Sequence, residues 1–269
     1  DISMLSSEAN LVHDLFNEKI LVQGPTRDGF GKGLVEAGEK DPRVVVLCAD
    51  LAESTRVHWF KEKFPERYIE LGVAEQNLAT VASGLANYGK IPFIASYAMF
   101  SPGRNNEQIR TTIALNNVPV KIVGAHAGVS VGPDGATHQA LEDVALMRVL
   151  PRMTVIAPCD VEEARKATIA AAAHPGPVYL RFAREKTPIF TTAETPFSIG
   201  KAELLWKSDK PEVAIIACGA LVYNALSAAK KLEEEGIGTF VLNNHTVKPL
   251  DKAAVKTVAC EAGAVVTVE

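Results

Sequence analysis

The sequence predicts an α/β protein made of two consecutive units, each with a mainly parallel sheet. Short runs rich in β-branched residues alternate with longer segments of helical periodicity, which is the pattern of parallel strands joined by crossover helices. A polar, proline-containing stretch between residues 184 and 212 interrupts this alternation, which then resumes. With 269 residues, 47% of them hydrophobic, the chain can fill the cores of two ordinary domains or of one large domain.

The first unit is predicted to be a doubly wound sheet. Its first clear strand spans residues 43–50; an amphipathic helix at 26–39, capped by Thr26, precedes it, and a loop with a short helix at 54–64 follows. Further strands are expected at 68–70, 91–97, 118–124, 154–157 and 178–180, and helices at 74–88, 104–115, 139–149 and 161–174.

The second unit repeats the parallel pattern on a smaller scale. Strands are expected at 213–218, 239–243 and 264–268, and helices at 221–235 and 252–261. The sequence ends inside the last of these strands, so we expect this unit to be incomplete. The stretch before it contains Pro188, Thr191, Thr192 and Pro196, which is typical of an inter-domain connection.

These patterns divide the chain into four segments. They are an N-terminal extension (1–24), a first domain (25–187), a linker (188–211) and an incomplete second domain (212–269). Within the extension, residues 11–22 mix apolar and polar side chains, so this stretch is either a helix that contacts a partner or a frayed tail.

Composition argues against several classes of function. The net charge is -4 with acidic and basic residues well mixed, so no basic stripe is present that would bind nucleic acid. No apolar run has the length of a membrane span or of a signal-peptide core, and we therefore expect a cytoplasmic protein without membrane contact. Four cysteines stand singly in apolar segments and are predicted to be reduced packing residues: Cys48, Cys159, Cys218 and Cys260.

A lone carboxylate and two aromatic residues are the first candidate site residues. Glu75 lies in the first turn of the otherwise apolar helix that follows the strand at 68–70. By itself this is most often a favourable charge at a helix start. The next strand brings Tyr97 and Phe100 towards its carboxyl end, where parallel sheets bind ligands, although each aromatic residue alone is more commonly a core residue.

The segment from His126 to His138 is a candidate binding loop. It combines flexible glycines with the polar side chains of His126, Asp134 and His138, directly after a predicted strand. Two histidines and an aspartate could also bind a metal. Their wide spacing lacks the short histidine pair of zinc sites, so no metal ligand is assigned on this chain.

Taken together, several segments resemble the pyrimidine-binding domain of transketolases, and the resemblance extends from about residue 25 to residue 269. They are residues 25–31 (PTRDGFG), 49–55 (ADLAEST), 72–77 (GVAEQN), 107–110 (EQIR), the loop 126–139 and 140–144 (ALEDV). The resemblance implies a parallel-sheet domain that binds the pyrimidine of thiamine diphosphate, followed by a smaller α/β transketolase C-terminal domain.

The resemblance also implies roles around this coenzyme, which loses a proton from its thiazolium ring and then acts as a nucleophile and electron sink. Glu75 matches the catalytic glutamate that hydrogen-bonds a ring nitrogen of the aminopyrimidine and promotes the tautomer that removes that proton. Tyr97 and Phe100 match the aromatic residues that flank the pyrimidine. His138 and Asp50 are expected close to the coenzyme.

Substrate contacts follow from the same resemblance. Charge-assisted hydrogen bonds suit a sugar phosphate, and the residues implied to hold it are Arg27, Ser54, Arg104, His126 and Arg184. Asp134 matches an aspartate that reads a substrate hydroxyl group. Residues 101–106 (SPGRNN) contain one residue more than many relatives, so a surface position for Arg104 has equal standing with a substrate contact.

One motif of the superfamily is missing from the chain. The Gly-Asp-Gly motif followed by an asparagine, which holds a divalent metal and the diphosphate, does not occur, and residues 132–135 (GPDG) are no substitute. The resemblance therefore implies the C-terminal subunit of a split transketolase, EC 2.2.1.1, of the pentose phosphate pathway. An N-terminal subunit would hold the diphosphate and Mg²⁺ or Ca²⁺, and two copies of each subunit would form a heterotetramer that contains a homodimer of this chain. Such an enzyme transfers a two-carbon ketol unit from a ketose phosphate to an aldose phosphate.

Three alternatives stay open. They are a 1-deoxyxylulose-5-phosphate synthase-like enzyme, the beta subunit of a 2-oxoacid dehydrogenase, and a non-catalytic partner subunit. The GPDGATH loop and GVAEQ favour transketolase over the dehydrogenase subunit, but they separate it less cleanly from the synthase. The joint presence of Glu75, Tyr97, Phe100 and His126 argues against a non-catalytic subunit.

Overall fold

The computed structural model of the chain describes residues 4–17 and 19–269. Within these residues the strands are β1 (Gln23–Gly24), β2 (Val44–Cys48), β3 (Tyr68–Glu70), β4 (Ile91–Tyr97), β5 (Lys121–Ala125), β6 (Thr154–Ile156), β7 (Val178–Arg181), β8 (Thr187–Pro188), β9 (Glu203–Lys207), β10 (Val213–Ala217), β11 (Thr239–Asn243), β12 (Thr246–Lys248) and β13 (Ala264–Val268).

The helices lie mainly between successive parallel strands. They are α1 (Thr26–Lys40), α2 (Ala52–Thr55), α3 (His58–Lys63), α4 (Glu75–Asn87), α5 (Asn106–Gln108), α6 (Asp143–Arg148), α7 (Val161–Ala173), α8 (Val222–Glu234) and α9 (Lys252–Glu261). Helix α5 continues directly into a π-helical segment, Ile109–Ala114. In the part of the chain that the structure describes, none of these helices has the length and apolar character needed to cross a membrane.

Two sheets organise the molecule. The larger has the strand order β12-β6-β7-β5-β4-β2-β3, with only β12 antiparallel to its neighbour. The smaller has the order β13-β10-β11-β9, with only β9 antiparallel. The predicted α/β class and the doubly wound, mainly parallel arrangement are confirmed.

Helices cover both faces of the larger sheet. On one face α1 packs closely against α7, because a Cβ atom at Gly29 would lie 1.9 Å from the carbonyl oxygen of Val161. On the other face α4 packs against the π-helical segment, and the hydroxyl of Ser83 donates to the carbonyl oxygen of Thr112 at 2.6 Å. The sheet therefore sits between two apolar layers, and its carboxyl edge is left to the loops.

Several local predictions need correction. Thr26 is the first residue of α1 rather than its cap; its hydroxyl accepts a hydrogen bond from the backbone N–H of Ala183 at 2.8 Å. The helix predicted at 139–149 begins only at Asp143, because Ala140 is paired with Ala127 in a parallel bridge. Such a bridge holds the chain before α6 extended and prevents an earlier helical start.

Two strands near the junction of the two units pair with partners that are distant in sequence. The segment expected as a linker, 188–211, contains β9, whose Trp206 is fully buried. Strand β12, from the second unit, pairs with β6 at the edge of the larger sheet. The paired strands are far apart in sequence, so no local pattern predicts the pairing. The pairing of β12 with β6 joins the two units.

The described residues of the stretch 11–22, expected as a helix that contacts a partner or as a frayed tail, form turns without a helix, and the N-terminal segment is packed on the protein. Ala9 and Leu15 are buried against the second unit, and the hydroxyl of Tyr223 donates to the carbonyl oxygen of Leu15 at 3.2 Å. Residues 1–3 and 18 of the predicted extension lie outside the described residues.

The cysteine prediction holds for part of the set. Cys48 and Cys159 are buried and unpaired, as expected of packing residues. Cys218 is only partly buried, and Cys260 is exposed on α9, so Cys260 is not a packing residue.

Candidate functional site

The candidate residues converge on the carboxyl edge of the larger sheet. Strands β3, β4 and β5 end at Glu70, Tyr97 and Ala125, and the chain leaves each strand at the same edge. Glu75 begins α4 just after β3, Tyr97 closes β4, and His126 directly follows β5. The parallel arrangement therefore brings together side chains that are widely separated in sequence.

Glu75 lies at the base of this edge with only 2% of its surface exposed. Its Oε2 accepts a hydrogen bond from Nη1 of Arg104 at 2.8 Å. Its main-chain oxygen accepts one from the side-chain amide of Asn105 at 2.9 Å, and that amide also donates to the hydroxyl of Ser101 at 3.1 Å. The loop after β4 is thereby fastened to the start of α4, which fixes the carboxylate against the end of the sheet.

Aromatic rings line the space next to Glu75. Tyr97 and Phe100 are stacked with their centroids 6.4 Å apart, and the ring of His126 also stacks on Tyr97, with the centroids 4.0 Å apart. His138 meets the ring of Phe100 edge-on, with the centroids 5.2 Å apart. Thus the structure brings four predicted residues into one aromatic cluster beside the buried carboxylate.

His126 is held by Arg27 in a defined protonation state. Nη1 of Arg27 lies 3.0 Å from Nε2 of His126 and also donates to the carbonyl oxygen of Ser54 at 2.9 Å. Because a guanidinium only donates hydrogen bonds, Nε2 must accept, and the ring proton lies on Nδ1. Burial, assisted by the nearby charge of Arg27, lowers the pKa of His126 to about 3. The imidazole is therefore neutral at physiological pH.

Two polar atoms of this pair have no partner. Nδ1 of His126 and Nε of Arg27 are both buried, and neither has a hydrogen-bond partner among the described residues. Leaving a buried donor unpaired is costly, and native structures contain few such groups. Both N–H groups are consequently candidate contacts for a ligand with acceptor oxygens.

Other predicted residues surround the cluster less closely. Arg184 is half-buried and donates to the main-chain oxygen of Val131, while Asp134 is exposed in the same loop. Ser54 meets the cluster through its main-chain oxygen, which accepts the hydrogen bond from Arg27. Asp50 is exposed, and its backbone N–H donates to Glu70 at 2.8 Å. Arg184, Asp134, Ser54 and Asp50 therefore border the site without being fixed on Glu75.

Sequence reasoning missed Asn105 and Glu70. Asn105 is fully buried inside a segment that was predicted as one continuous helix, and a buried asparagine there was the only available signal. The carboxylate of Glu70 accepts hydrogen bonds from Tyr68 and from the backbone of Asp50 and Gly72; although burial opposes this, these bonds lower the pKa of Glu70. Glu70 thus anchors the turns that carry the site.

The part of the chain that the structure describes contains no group of three or more histidine, cysteine, aspartate or glutamate side chains arranged to hold a metal ion. Arg27, Arg104 and Arg184 make side-chain hydrogen bonds at this edge, to His126, Glu75 and Val131 respectively.

Comparison with known proteins places this geometry in a family. The sequence matches the pyrimidine-binding domain of transketolase over residues 23–189 and the transketolase C-terminal domain over residues 200–269. This chain belongs to the transketolase family. The family uses thiamine diphosphate, and the resemblance inferred from the sequence motifs is confirmed.

Relatives within the transketolase family include separate C-terminal polypeptides. One, from Methanocaldococcus jannaschii, is described provisionally as a transketolase C-terminal section; it is 44% identical, over 86% of this chain and 73% of that protein. Another is the 6-deoxy-6-sulfo-D-fructose transketolase subunit SqwH of Clostridium sp. (strain MSTE9), which is 42% identical over 90% of this chain and 75% of that protein.

Among solved structures, a split gene transketolase described as an inactive beta4 tetramer superimposes with a TM-score of 0.83. It shares 44% sequence identity, and the match covers 91% of this chain and 80% of that one. At this level of identity the transketolase-family fold, with a pyrimidine-binding domain followed by a C-terminal domain, is shared.

Proposed function

We propose that this chain is the C-terminal subunit of a split transketolase and that it becomes active only with an N-terminal subunit. The observation that carries the proposal is the buried carboxylate of Glu75, placed beside Tyr97 and Phe100 at the carboxyl edge of the sheet. The similarity to separately encoded C-terminal polypeptides supports the split arrangement. Two copies of each subunit would form the heterotetramer, within which two copies of this chain associate.

The residues at this edge fit the pyrimidine half of thiamine diphosphate. An aminopyrimidine needs a carboxylate next to a ring nitrogen and flat apolar surfaces against its faces, and Glu75 with Phe100 and Tyr97 can supply these. His138 would border the ring, and Asp50 would lie near the coenzyme. The diphosphate half has no comparable match in the described residues, so the N-terminal subunit would hold it together with Mg²⁺ or Ca²⁺.

When bound, thiamine diphosphate supplies a carbon nucleophile and an electron sink for cleaving and forming a bond next to a carbonyl group. The chain's own contribution is to hold and move one proton. Glu75 would share a proton between its carboxylate and the ring nitrogen, and its burial keeps water from competing for that proton. Tyr97 and Phe100 would exclude water from the same space.

The basic residues beside this site suit a substrate with an anionic tail. Nδ1–H of His126 and Nε–H of Arg27 are donors without partners in the described part of the chain, and burial and the charge of Arg56 lower the pKa of Arg27. An anionic oxygen placed between them would satisfy both donors and offset the buried charge. Arg184 would add a second cation and Ser54 would also hold the tail, while Asp134 would contact a substrate hydroxyl group.

Two chemical groups fit the anionic tail of the substrate, a phosphate and a sulfonate. A phosphate sugar would correspond to transketolase of EC 2.2.1.1, a cytoplasmic enzyme of the pentose phosphate pathway. A relative named for a sulfonated sugar shows that similar chains accompany other substrates. A phosphate is favoured here because Arg184 is close enough to Arg27 for its charge to add to burial in lowering the pKa of Arg27, and a dianion would interact favourably with both cations.

Reconstitution tests the proposal. The chain, its cognate N-terminal subunit, thiamine diphosphate and Mg²⁺ are mixed, and ketol transfer from xylulose 5-phosphate to ribose 5-phosphate is measured. Turnover in the mixture, with none from either subunit alone, is the expected result. Turnover by this chain alone would contradict the split arrangement.

Parallel assays separate the alternatives. Consumption of pyruvate with glyceraldehyde 3-phosphate in place of ketol transfer would identify a deoxyxylulose-phosphate synthase. Transfer from 6-deoxy-6-sulfofructose, but not from xylulose 5-phosphate, would assign the sulfonate as the tail. Complex formation and coenzyme binding without turnover on any of these substrates would favour a non-catalytic subunit.

A further inference from the structure

Arg104 lies against both Glu75 and Phe100, a placement that the sequence does not predict. A substrate contact and a surface position had equal standing for it, yet its Nη1 lies 2.8 Å from Oε2 of Glu75, and its guanidinium carbon lies 4.9 Å from the centroid of the Phe100 ring. The side chain of Arg104 is 47% exposed, whereas that of Glu75 is 2% exposed. A solvent-facing cation is thus inserted between a buried carboxylate and an aromatic ring.

The contacts of this guanidinium are those that a pyrimidine ring would need. A guanidinium is planar and delocalised, donates N–H hydrogen bonds to carboxylates and lies over aromatic faces. An aminopyrimidine that presents a ring N–H to Glu75 while resting near Phe100 has the same three requirements. Both groups cannot hold Oε2 of Glu75 and that aromatic surface at once.

We propose that Arg104 is an internal stand-in for the coenzyme ring. It occupies the place of the pyrimidine on Glu75 and Phe100 while the coenzyme is absent, and it must swing outward before the ring can bind. The inference rests on the proposed function, since it takes thiamine diphosphate to be the coenzyme of this site.

The surroundings allow the side chain, but not the backbone, to move. The backbone N–H of Arg104 donates to the carbonyl oxygen of Phe100 at 3.0 Å, and the next residue, Asn105, is fastened to the main chain of Glu75. The guanidinium itself makes no hydrogen bond other than the one to Glu75 among the described residues. Its half-exposed stem can therefore rotate into solvent while the loop remains in place.

This arrangement has a physical reason in the buried carboxylate. An ionised carboxylate in a nearly dry site is unfavourable without a partner, and the coenzyme ring is absent until the subunits assemble. Arg104 neutralises Glu75 in the meantime. Because the pair is half-exposed, its strength is modest, so it lowers the apparent affinity for the ring without blocking the site.

Calorimetry with Arg104→Gln tests the proposal. Thiamine diphosphate with Mg²⁺ is titrated into the complex of this chain with its cognate N-terminal subunit, and the dissociation constants of variant and wild type are compared. Removal of an internal competitor worth a half-exposed ion pair should tighten coenzyme binding by about three- to fivefold. Arg148→Gln, an exposed arginine on α6 without an ion pair in the described residues, is the matched control and should leave the affinity unchanged.

The same variants give the results that would overturn the inference. Unchanged or weaker coenzyme binding by Arg104→Gln, with a raised KM for the sugar donor, would contradict the proposal and show that Arg104 contacts the substrate. If Arg104→Gln does not fold, Arg104→Lys replaces it: this variant keeps the cation but has no planar group to lie on Phe100, so binding tighter than wild type is expected and equal or weaker binding contradicts the proposal. A wild-type complex that binds no thiamine diphosphate would instead refute the proposed function.

Discussion

Glu75 and Glu163 are two buried glutamates in the first turns of helices that follow strands of the same sheet, yet they serve different ends. Each has 2% of its surface exposed. The carboxylate of Glu75 lies beside aromatic rings and pairs with the half-exposed cation of Arg104. That of Glu163 accepts hydrogen bonds from the backbone N–H of Cys159 at 2.6 Å and the amide of Asn243 at 2.7 Å, with no ion pair in the described residues.

The difference teaches that burial alone does not make a carboxylate functional. Burial, with the nearby charge of Asp160, raises the pKa of Glu163 to about 7, and its neutral partners come from both domains. It acts as a tie between the two units. Glu75, by contrast, opens onto a space bordered by unpartnered donors and aromatic rings, where a ligand can replace its present partner.

The sharpest test of this contrast is Glu75→Ala. Loss of the group that shares a proton with the coenzyme should lower turnover of the assembled enzyme by about a hundred- to ten-thousandfold. The midpoint of thermal unfolding should change little, because Glu75 makes no tie between domains. Glu107→Gln, an exposed carboxylate on α5, is the control. Activity near the wild-type level in Glu75→Ala would show that the assignment of Glu75 is wrong.

Glu163→Gln should alter stability instead of turnover. The folded pKa of Glu163, about 7, lies above its unfolded value, so its contribution to stability is complete below the unfolded pKa and is lost as pH rises through the folded pKa. The glutamine side chain of the variant does not ionise, so this loss of stability at high pH does not occur. Its NH₂ group can donate to Oδ1 of Asn243, which has no partner among the described residues. At pH 8 the variant should be more stable by roughly 3 kcal/mol, an advantage that disappears near pH 4.

Denaturant unfolding at both pH values measures this difference. Glu235→Gln, an exposed glutamate just after α8, should show no such pH dependence. A difference between Glu163→Gln and wild type that is the same at pH 4 and pH 8 would contradict the raised pKa of Glu163.

The smallest expected effect is the absence of a titration at His126. Burial and the charge of Arg27 lower its pKa to about 3, so the ring should stay neutral, with the proton on Nδ1, from pH 5 to pH 8. Nitrogen-15 NMR of the imidazole rings reports both protonation and tautomer, and the solvent-exposed ring of His13 gives the reference signal. A titration of His126 with a midpoint between pH 5 and pH 8, or a proton on Nε2, would disprove this assignment.

Much of the fold was predictable because many of its elements depend on local sequence patterns. The strands at 44–48, 91–97 and 239–243 are mainly apolar runs that are buried along their whole length or nearly so, and the sequence pattern predicts such runs. Strands β9 and β12 were missed because each pairs antiparallel with a strand distant in sequence and does not continue the alternation of parallel strands and helices. The helix start before α6 was misplaced because a bridge to Ala127 competes with helix formation.

The candidate site was predictable in its membership more than in its contacts. Glu75, Tyr97, Phe100, His126 and His138 were named from the sequence, and the structure brings them to one edge of the sheet. Their roles towards coenzyme and substrate remain predictions that the experiments above address. The partner of Arg104 was not foreseen, since its distance from Glu75 depends on how the loop after β4 folds back on α4.

The sequence by itself determined the alternation of strands and helices, the carboxylate at the start of α4 and the aromatic residues at the end of β4, because each depends on neighbours within a few positions. Only the tertiary structure decided which groups meet: Arg104 and Glu75 are 29 residues apart, Asn243 and Glu163 are 80 apart, and Arg27 and His126 are 99 apart. Protonation state and charge pairing depend on distances of about 3 Å between such groups. Those distances arise only when distant segments pack together.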